Sequence, residues 1–207
     1  MTETKKDILL GKHHDITAFA SSDPTRYAIN SVHYNENGKA VECTDGRIMI
    51  RVPVLESESY PPVTVTAPAR DCIIPLKPFQ QALKNIPNGG AMPILKHMRL
   101  GVIGEGEEAR VNLTTSDLDT EQNIATNPIN EVYPDINQIL PKDEPKLTIT
   151  LSAHLLKVLA EYAAKHGTAD FAPIKFEFTD GTSPVKFSVK LAADTTAIGV
   201  FCPMKGF

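Results

Sequence analysis

Asp117, Asp119 and Glu121 occupy alternate positions in "SDLDTE". On an extended strand alternate residues share a face, so this run offers three carboxylates on one side. Oxygen donors of that kind suit a hard divalent cation, and a metal-dependent enzyme is the activity they would imply. The same spacing also describes a solvated strand edge. Elsewhere the chemistry is thinner. His13, His14 and His33 have no carboxylate or cysteine at ligand spacing. Ser152 and His154 stand too close together at a helix start to act as nucleophile and base, and Ser152 is better used as an N-cap. The cysteines, Cys43, Cys72 and Cys202, are odd in number, far apart and without CxxC spacing, which disfavours a disulfide framework or a zinc site. No catalytic constellation emerges, so neither an enzyme activity nor a cofactor is expected.

A second kind of chemistry is charge on helices. "LKPFQQALKNI" places Phe79, Ala82, Leu83 and Ile86 at i, i+3, i+4 and i+7, with Lys77 and Lys84 off that stripe. "SAHLLKVLAEYAAKHG" begins at a capping Ser152 and stops at Gly167. Its apolar stripe is Leu155, Leu156, Leu159, Tyr162 and Ala163, and it carries Lys157 and Lys165, diluted by Glu161. Lys96, His97 and Arg99 cluster after the first helix. Dispersed lysines on a helix describe a solvated face as readily as a phosphate-binding one.

Composition narrows the classes. The 207 residues are 42% hydrophobic with a formal net charge of −4, enough for a sizeable core and without a global basic footprint. No apolar run reaches membrane-spanning length, and "MTETKKDILL" lacks a signal-peptide core, so a reducing cytoplasm is the expected location.

The elements that must position these side chains repeat. From 146, "KLTITL" reads as a strand, the second helix follows, and "IKFEFTD", "PVKFSVKLA" and "TAIGVFCPM" read as three more strands, with "DGTS" turning between the first two. "RDCIIP", the first helix, "HMRLGVIG", "EARVNLTTS" and "TEQNIATN" give the same β-α-β-β-β order. The "GEGEE" between two of these strands is a turn; no helix follows it, as a dinucleotide loop would need. The N-terminal third is a degraded copy: "RYAINSVHYN", "AVECTD" and "RIMIRVPV" are strands, whereas "KKDILLGKHHDITAFASSDP" is too broken for a strand and a long helix. The chain is expected to be α+β, with two full repeats and one degraded.

Between the last two repeats lies "YPDINQILPK", 133 to 142. Its prolines exclude an ordinary helix or central strand, and its apolar Ile136, Ile139 and Leu140 do not suit a disordered linker. This stretch resembles the interdomain connector of bacterial sliding clamps, the β subunit of DNA polymerase III. "CTDGRIMI", 43 to 50, is similar to the clamp's A-T-D-G-H-R-L-A strand and turn, and "GVFCPMKGF" to its V-V-M-P-M-R-L ending. "TRYAINSVHYNENGKAVECTDGR" follows the opening of the clamp's middle domain, and the resemblance runs over residues 25 to 207.

The resemblance implies a DNA-clamp-like fold in which 1–132 corresponds to the middle domain, 133–145 to the connector and 146–207 to half of the last domain, with a first domain absent. It implies a processivity factor that tethers a DNA polymerase or clamp-loader peptide motif in a hydrophobic pocket. The walls carried over are Thr44, Gly46 and Arg47; Pro134, Gln138 and Ile139; and Val200, Phe201, Pro203 and Met204. It also implies duplex DNA against Lys77, Lys84, Lys96, Arg99, Lys157 and Lys165. Arg47-Ile48 replaces the family's His-Arg, Gln138 replaces a basic residue, and Lys205 replaces arginine before Gly206 and Phe207. A different peptide preference is therefore expected. An alternative within the same resemblance is a peptide-binding adaptor or competitor that does not encircle DNA. An odd number of repeats further implies edges to be covered, by homo-oligomerisation or by residues 5 to 22.

Overall fold

The computed structural model describes residues 7–57, 68–88, 92–168, 172–191 and 195–204. The altered C-terminal residues 205–207 lie outside them. The chain forms two units, Met1–Leu140 and Pro141–Phe207, so the division falls inside the connector.

In the first unit the strands are β1 (Asp7–Gly11), β2 (Ser31–Asn35), β3 (Ala40–Thr44), β4 (Met49–Pro53), β5 (Leu55–Ser57), β6 (Cys72–Pro75), β7 (His97–Ile103), β8 (Arg110–Ser116) and β9 (Glu121–Thr126). They build two antiparallel sheets, ordered β4-β3-β2-β6 and β5-β1-β7-β8-β9. Each repeat therefore lends its first strand to the other's sheet: β1 pairs with β7, and β6 pairs with β2. Buried pairs Leu10–Met98 and Ile74–Val32 sit at these two junctions. The helix α1 (Leu76–Asn85) buries Phe79, Ala82 and Leu83, the i, i+3, i+4 face, in a core fed by both sheets. Pro75 caps it and Pro78 falls in its first turn, where a missing N–H costs nothing.

The N-terminal stretch departs from expectation. It supplies a clean strand, β1, held between β5 and β7. Its helix is replaced by two short 3-10 turns, Lys12–His14 and Thr17–Phe19. A buried His14 fixes the first of them: its Nδ1 accepts from Gly11 N at 2.9 Å, and its Nε2 lies 3.0 Å from the Pro53 carbonyl. Burial lowers the pKa of this imidazole and favours the neutral ring that both bonds require.

The second unit holds α3 (Ala153–His166) and one sheet, β10-β11-β12, from Ile174–Glu177, Val185–Lys190 and Thr196–Phe201. Ser152 caps α3, its hydroxyl accepting from Leu155 N at 3.5 Å, and Gly167 ends it. Asp180 fixes the turn after β10 by accepting from Thr182 N (2.7 Å) and Ser183 N (2.6 Å). The core is Leu159, Ala163, Val185, Val189 and Phe201. The expected strand over 146–151 does not form a ladder. Ile149 and Leu151 pack on the core, and Met204 N donates to Thr150 O at 2.8 Å, but no strand accompanies the segment. Its host in the first unit would be the sheet of another repeat, and the second unit contains one repeat. Of the two full repeats expected, only the middle one has all five elements.

Gly199 sits where β12 crosses Phe187, and a Cβ there would lie 2.1 Å from that ring. Gly199→Ala is expected to destabilise the second unit by about 1–3 kcal/mol through overpacking. Hydrogen exchange should show faster opening of β10–β12 with the first unit unchanged.

Candidate functional site

The turn after β3 is built by its own side chains. Thr44 is buried; its hydroxyl donates to Ile48 O (2.7 Å) and accepts from Gly46 N (3.0 Å). Asp45 accepts from Arg47 N (2.7 Å) and Ile48 N (2.9 Å), and these backbone donors, Ile48 first, hold its pKa below the usual carboxylate value. Gly46 has φ +93°, a conformation glycine adopts freely. Thr44 is thus a brace for the turn, while Gly46, Arg47 and Ile48 are exposed at its tip.

The connector divides its apolar residues. Asp135 caps a single helical turn, α2 (Ile136–Ile139), accepting from Asn137 N at 2.9 Å, and Gln138 folds back onto Asp135 at 3.1 Å. The proline-bounded stretch does contain one helical turn, because the six residues between Pro134 and Pro141 leave room for the four of Ile136–Ile139. Tyr133 and Ile136 are buried against Ile29 and Ile73, whereas Ile139 is 61% exposed and Leu140 is exposed beside it. Pro134 and Gln138 are exposed as well.

Beneath the connector lies a charge network that sequence reasoning missed. His33 stands between Glu42 Oε2 and Asp71 Oδ1, at 3.1 Å from each, and stacks on Tyr133 at 4.5 Å. Glu42, fully buried, also accepts from Arg51 Nε at 2.6 Å, and Arg51 Nη1 reaches Asn137 of the connector at 2.9 Å. Burial alone would lower the His33 pKa; the hydrogen bonds to Glu42 and Asp71 outweigh it and raise the value. Burial would raise Glu42, and its bonds to His33 and Arg51 reverse that. The signal available in sequence was a polar residue at each mid-strand, His33 between Val32 and Tyr34 and Glu42 between Val41 and Cys43.

In the second unit, strand alternation splits the predicted C-terminal wall. Val200 (62%) is exposed on the same side of β12 as Ile198, and Cys202 and Met204 (54%) are exposed beyond the end of the strand. Phe201 is 4% exposed and packs on Phe176 and Phe187, so it is a core residue. Pro203 is half-buried. Phe201 also floors an apolar cavity of about 460 Å³, rimmed by Leu155, Val158, Tyr162, Ile198 and Val200. Three strands are too few to cover the apolar stripe of α3, and Leu155 and Tyr162 stay exposed.

The basic residues separate too. Lys77 and Lys84 are exposed on α1, which contains no acidic residue, and Lys96 is exposed before β7. Lys12, which sequence reasoning passed over, joins Lys84 at a polar cleft of about 440 Å³ and meets Asn88. Arg99 is buried and ion-paired with Asp7 of β1, so it staples a strand and is removed from the DNA-facing set. On α3, Lys157 pairs with Glu161 at 3.8 Å and Lys165 lies in the last turn. The Asp117 run does not form a one-sided cluster. Asp117 and Asp119 lie in the turn between β8 and β9, where Asp117 accepts from Thr120 N (2.7 Å) and Asp119 N (3.1 Å). Among the described residues no set of three or more His, Cys, Asp or Glu could hold a metal ion, and no helix is long and apolar enough to cross a membrane.

This arrangement is the bacterial sliding-clamp fold. The structure is similar to the β subunit of DNA polymerase from Streptococcus pyogenes (TM-score 0.67, 14% identity, 96% of this chain and 50% of that one). It is similar to the DNA polymerase sliding clamp of Bacillus subtilis (TM-score 0.67, 12% identity, 98% and 50%). It is also similar to a sliding clamp, DNA polymerase III subunit beta, of Bartonella birtlesii bound to griselimycin (TM-score 0.58, 16% identity, 97% and 52%). The chain spans about half the length of these clamps. No family model matches the sequence, and no curated protein does.

Because the folded pKa of His33 is raised above its unfolded value near 6.5, the His33 contribution is complete below about pH 6.5 and is lost as pH rises through the raised value. Glu42 has the opposite sign, contributing above about 4.5 and failing as acid protonates it. His14, its pKa lowered by burial, has the opposite sign and gains only up to about pH 6.5, so the His33 term should lower the stability of the first unit between about pH 7 and about pH 8.5. In His33→Gln this alkaline decline should vanish; denaturant midpoints at the two pH values measure it.

Proposed function

We propose that this chain is a clamp-like tethering protein that holds replication proteins through a short peptide. The carrying observation is the exposed apolar pair Ile198 and Val200 on a preformed cavity of ligand-pocket size, with Met204 exposed three residues beyond the strand. A leucine or phenylalanine anchor suits that surface, and a flexible methionine adapts to either. The exposed Ile139 and Leu140 and the tip residues Gly46, Arg47 and Ile48 are the contacts the first unit would offer the same class of peptide. Proline and Asx bracing would hold these stretches in shape before binding and lower the ordering cost. Such a role requires no chemistry of the protein's own, and a cytoplasmic location suits it.

Sequence-independent contact with duplex DNA belongs to the same reading. Lys77 and Lys84 carry it best, since α1 has no acid to offset them. Lys96, Lys157 and Lys165 would add to it, Lys157 less because of Glu161.

A peptide with a Gln-x-x-Leu-x-Leu or Gln-x-x-Leu-x-Phe motif should bind, and Val200→Ala with Met204→Ala should weaken it about tenfold or more. Calorimetry giving equal affinity for parent and variant would remove the assignment. Lys77→Glu with Lys84→Glu should leave peptide binding intact while lowering the log–log salt slope of DNA binding by about 1.8. If the parent shows no DNA association at low salt, the non-encircling adaptor replaces the clamp.

A further inference from the structure

The first unit shows how one repeat completes another, and the second unit has every part of that arrangement except the partner. In the first unit each first strand has two neighbours. On one side runs the chain that leaves its own repeat: β5 beside β1, and Ile129, whose N–H donates to Ile73 O of β6 at 2.9 Å. On the other side runs the second strand of the other repeat: β7 beside β1, and β2 beside β6. The second unit reproduces the first of these contacts. Met204 N donates to Thr150 O, and Thr150 stands two residues before the cap of α3, as Ile73 stands two before the cap of α1. Met204 follows the end of β12 by three residues, as Ile129 follows β9. The segment 146–151 is therefore already in a first strand's place. Among the described residues no strand pairs with its other side, and none pairs with the outer edge of β10.

We infer that two copies of this chain join through their second units by exchanging residues 146–151, each copy's segment pairing antiparallel with β10 of the other. The resulting sheet, β12-β11-β10 with the partner copy's segment, has the order of β4-β3-β2-β6. Two equivalent exchanges give a closed twofold interface.

The register follows from the first unit. There the buried residue just before the helix cap faces the first core-facing residue of the host strand: Leu10 with Met98, Ile74 with Val32. The same rule sets Leu151 against Ile174, Ile149 against Phe176 and Leu147 against Phe178. Thr150 and Thr148 then face Lys175 and Glu177. Apolar meets apolar and polar meets polar throughout, and a slip by one residue would mismatch every pair. Exposure points the same way. Leu10, Met98, Ile74 and Val32 are all fully buried, whereas Leu147 is 43% and Phe178 47% exposed in one copy. A second copy covers them, together with two open strand edges that favour association. This inference does not depend on the peptide-binding reading.

Sedimentation of the full chain should give a concentration-dependent species of twice the 22.6 kDa of one chain. Leu147→Asp and Phe178→Asp should each raise the dimer dissociation constant about tenfold or more. In a Cys202→Ser background, Thr150→Cys with Lys175→Cys should oxidise to a covalent dimer, because directly opposed Cβ atoms are about 4.5–5.5 Å apart. The diagonal pair Thr148→Cys with Lys175→Cys, about 7–8 Å apart, should not. The inference is overturned by a monomer at all concentrations that fails to cross-link. It is equally overturned by cross-linking of both cysteine pairs to the same extent, or by aspartate variants that dimerise as the parent does. Losing peptide binding in Val200→Ala with Met204→Ala while dimerisation persists would separate the two readings.

Discussion

Neither repeat of the first unit closes its own sheet. There the first strand of each repeat hydrogen-bonds into the sheet of the other, so the backbone donors of β2 and β7 are satisfied only when a second repeat is present. That dependence explains why the N-terminal repeat keeps β1 although its helix has shrunk to two 3-10 turns. Losing the helix removes one layer of cover, whereas losing β1 would open the edge of β7 and expose Met98 and Leu100. Arg99, ion-paired to Asp7, adds a charged staple across the same junction.

The connector is held by a different kind of interaction. Tyr133 and Ile136 supply the apolar contact, and His33, Glu42 and Arg51 supply an oriented set of charges beneath them. Burying a carboxylate is costly unless it is paired, and Glu42 has two charged partners and a third hydrogen bond, from Asn35 at 3.2 Å. The network fixes which face of α2 turns inward. With Ile136 pinned and Asn137 bonded to Arg51, Gln138, Ile139 and Leu140 are left outward. The proline-bounded decapeptide is apolar because half of it is an anchor and the other half is a presented surface.

The second unit uses the same logic with fewer parts. Three strands and one helix bury Leu159, Ala163 and Phe201 but cannot cover the whole α3 stripe. Part of that stripe stays open at the cavity beside β12, and Leu147 and Phe178 are exposed elsewhere in the unit. Large side chains exposed in contiguous patches mark association surfaces more often than single exposed residues do.

By itself the sequence determined the local elements and the α+β class. The i, i+3, i+4 spacing of Phe79, Ala82 and Leu83, the cap at Ser152 and the alternation in 185–190 and 196–201 are written in short-range pattern, and each produced the element it implied. Three ordered motifs also carried the sliding-clamp likeness. What the sequence could not determine was which strands found partners and which side chains remained outside. "KLTITL" has a strand's pattern and forms no ladder, while "DILLG" has little more and sits inside a five-stranded sheet. Phe201 and Val200 are adjacent in the chain, yet one is core and the other surface. Arg99 read as a free cation and is a buried ion pair; His33 read as isolated and lies between two carboxylates. Only the tertiary structure decided these, because hydrogen-bond ladders, burial and charge pairing are made between residues tens of positions apart, and local pattern carries no record of who the distant partner is.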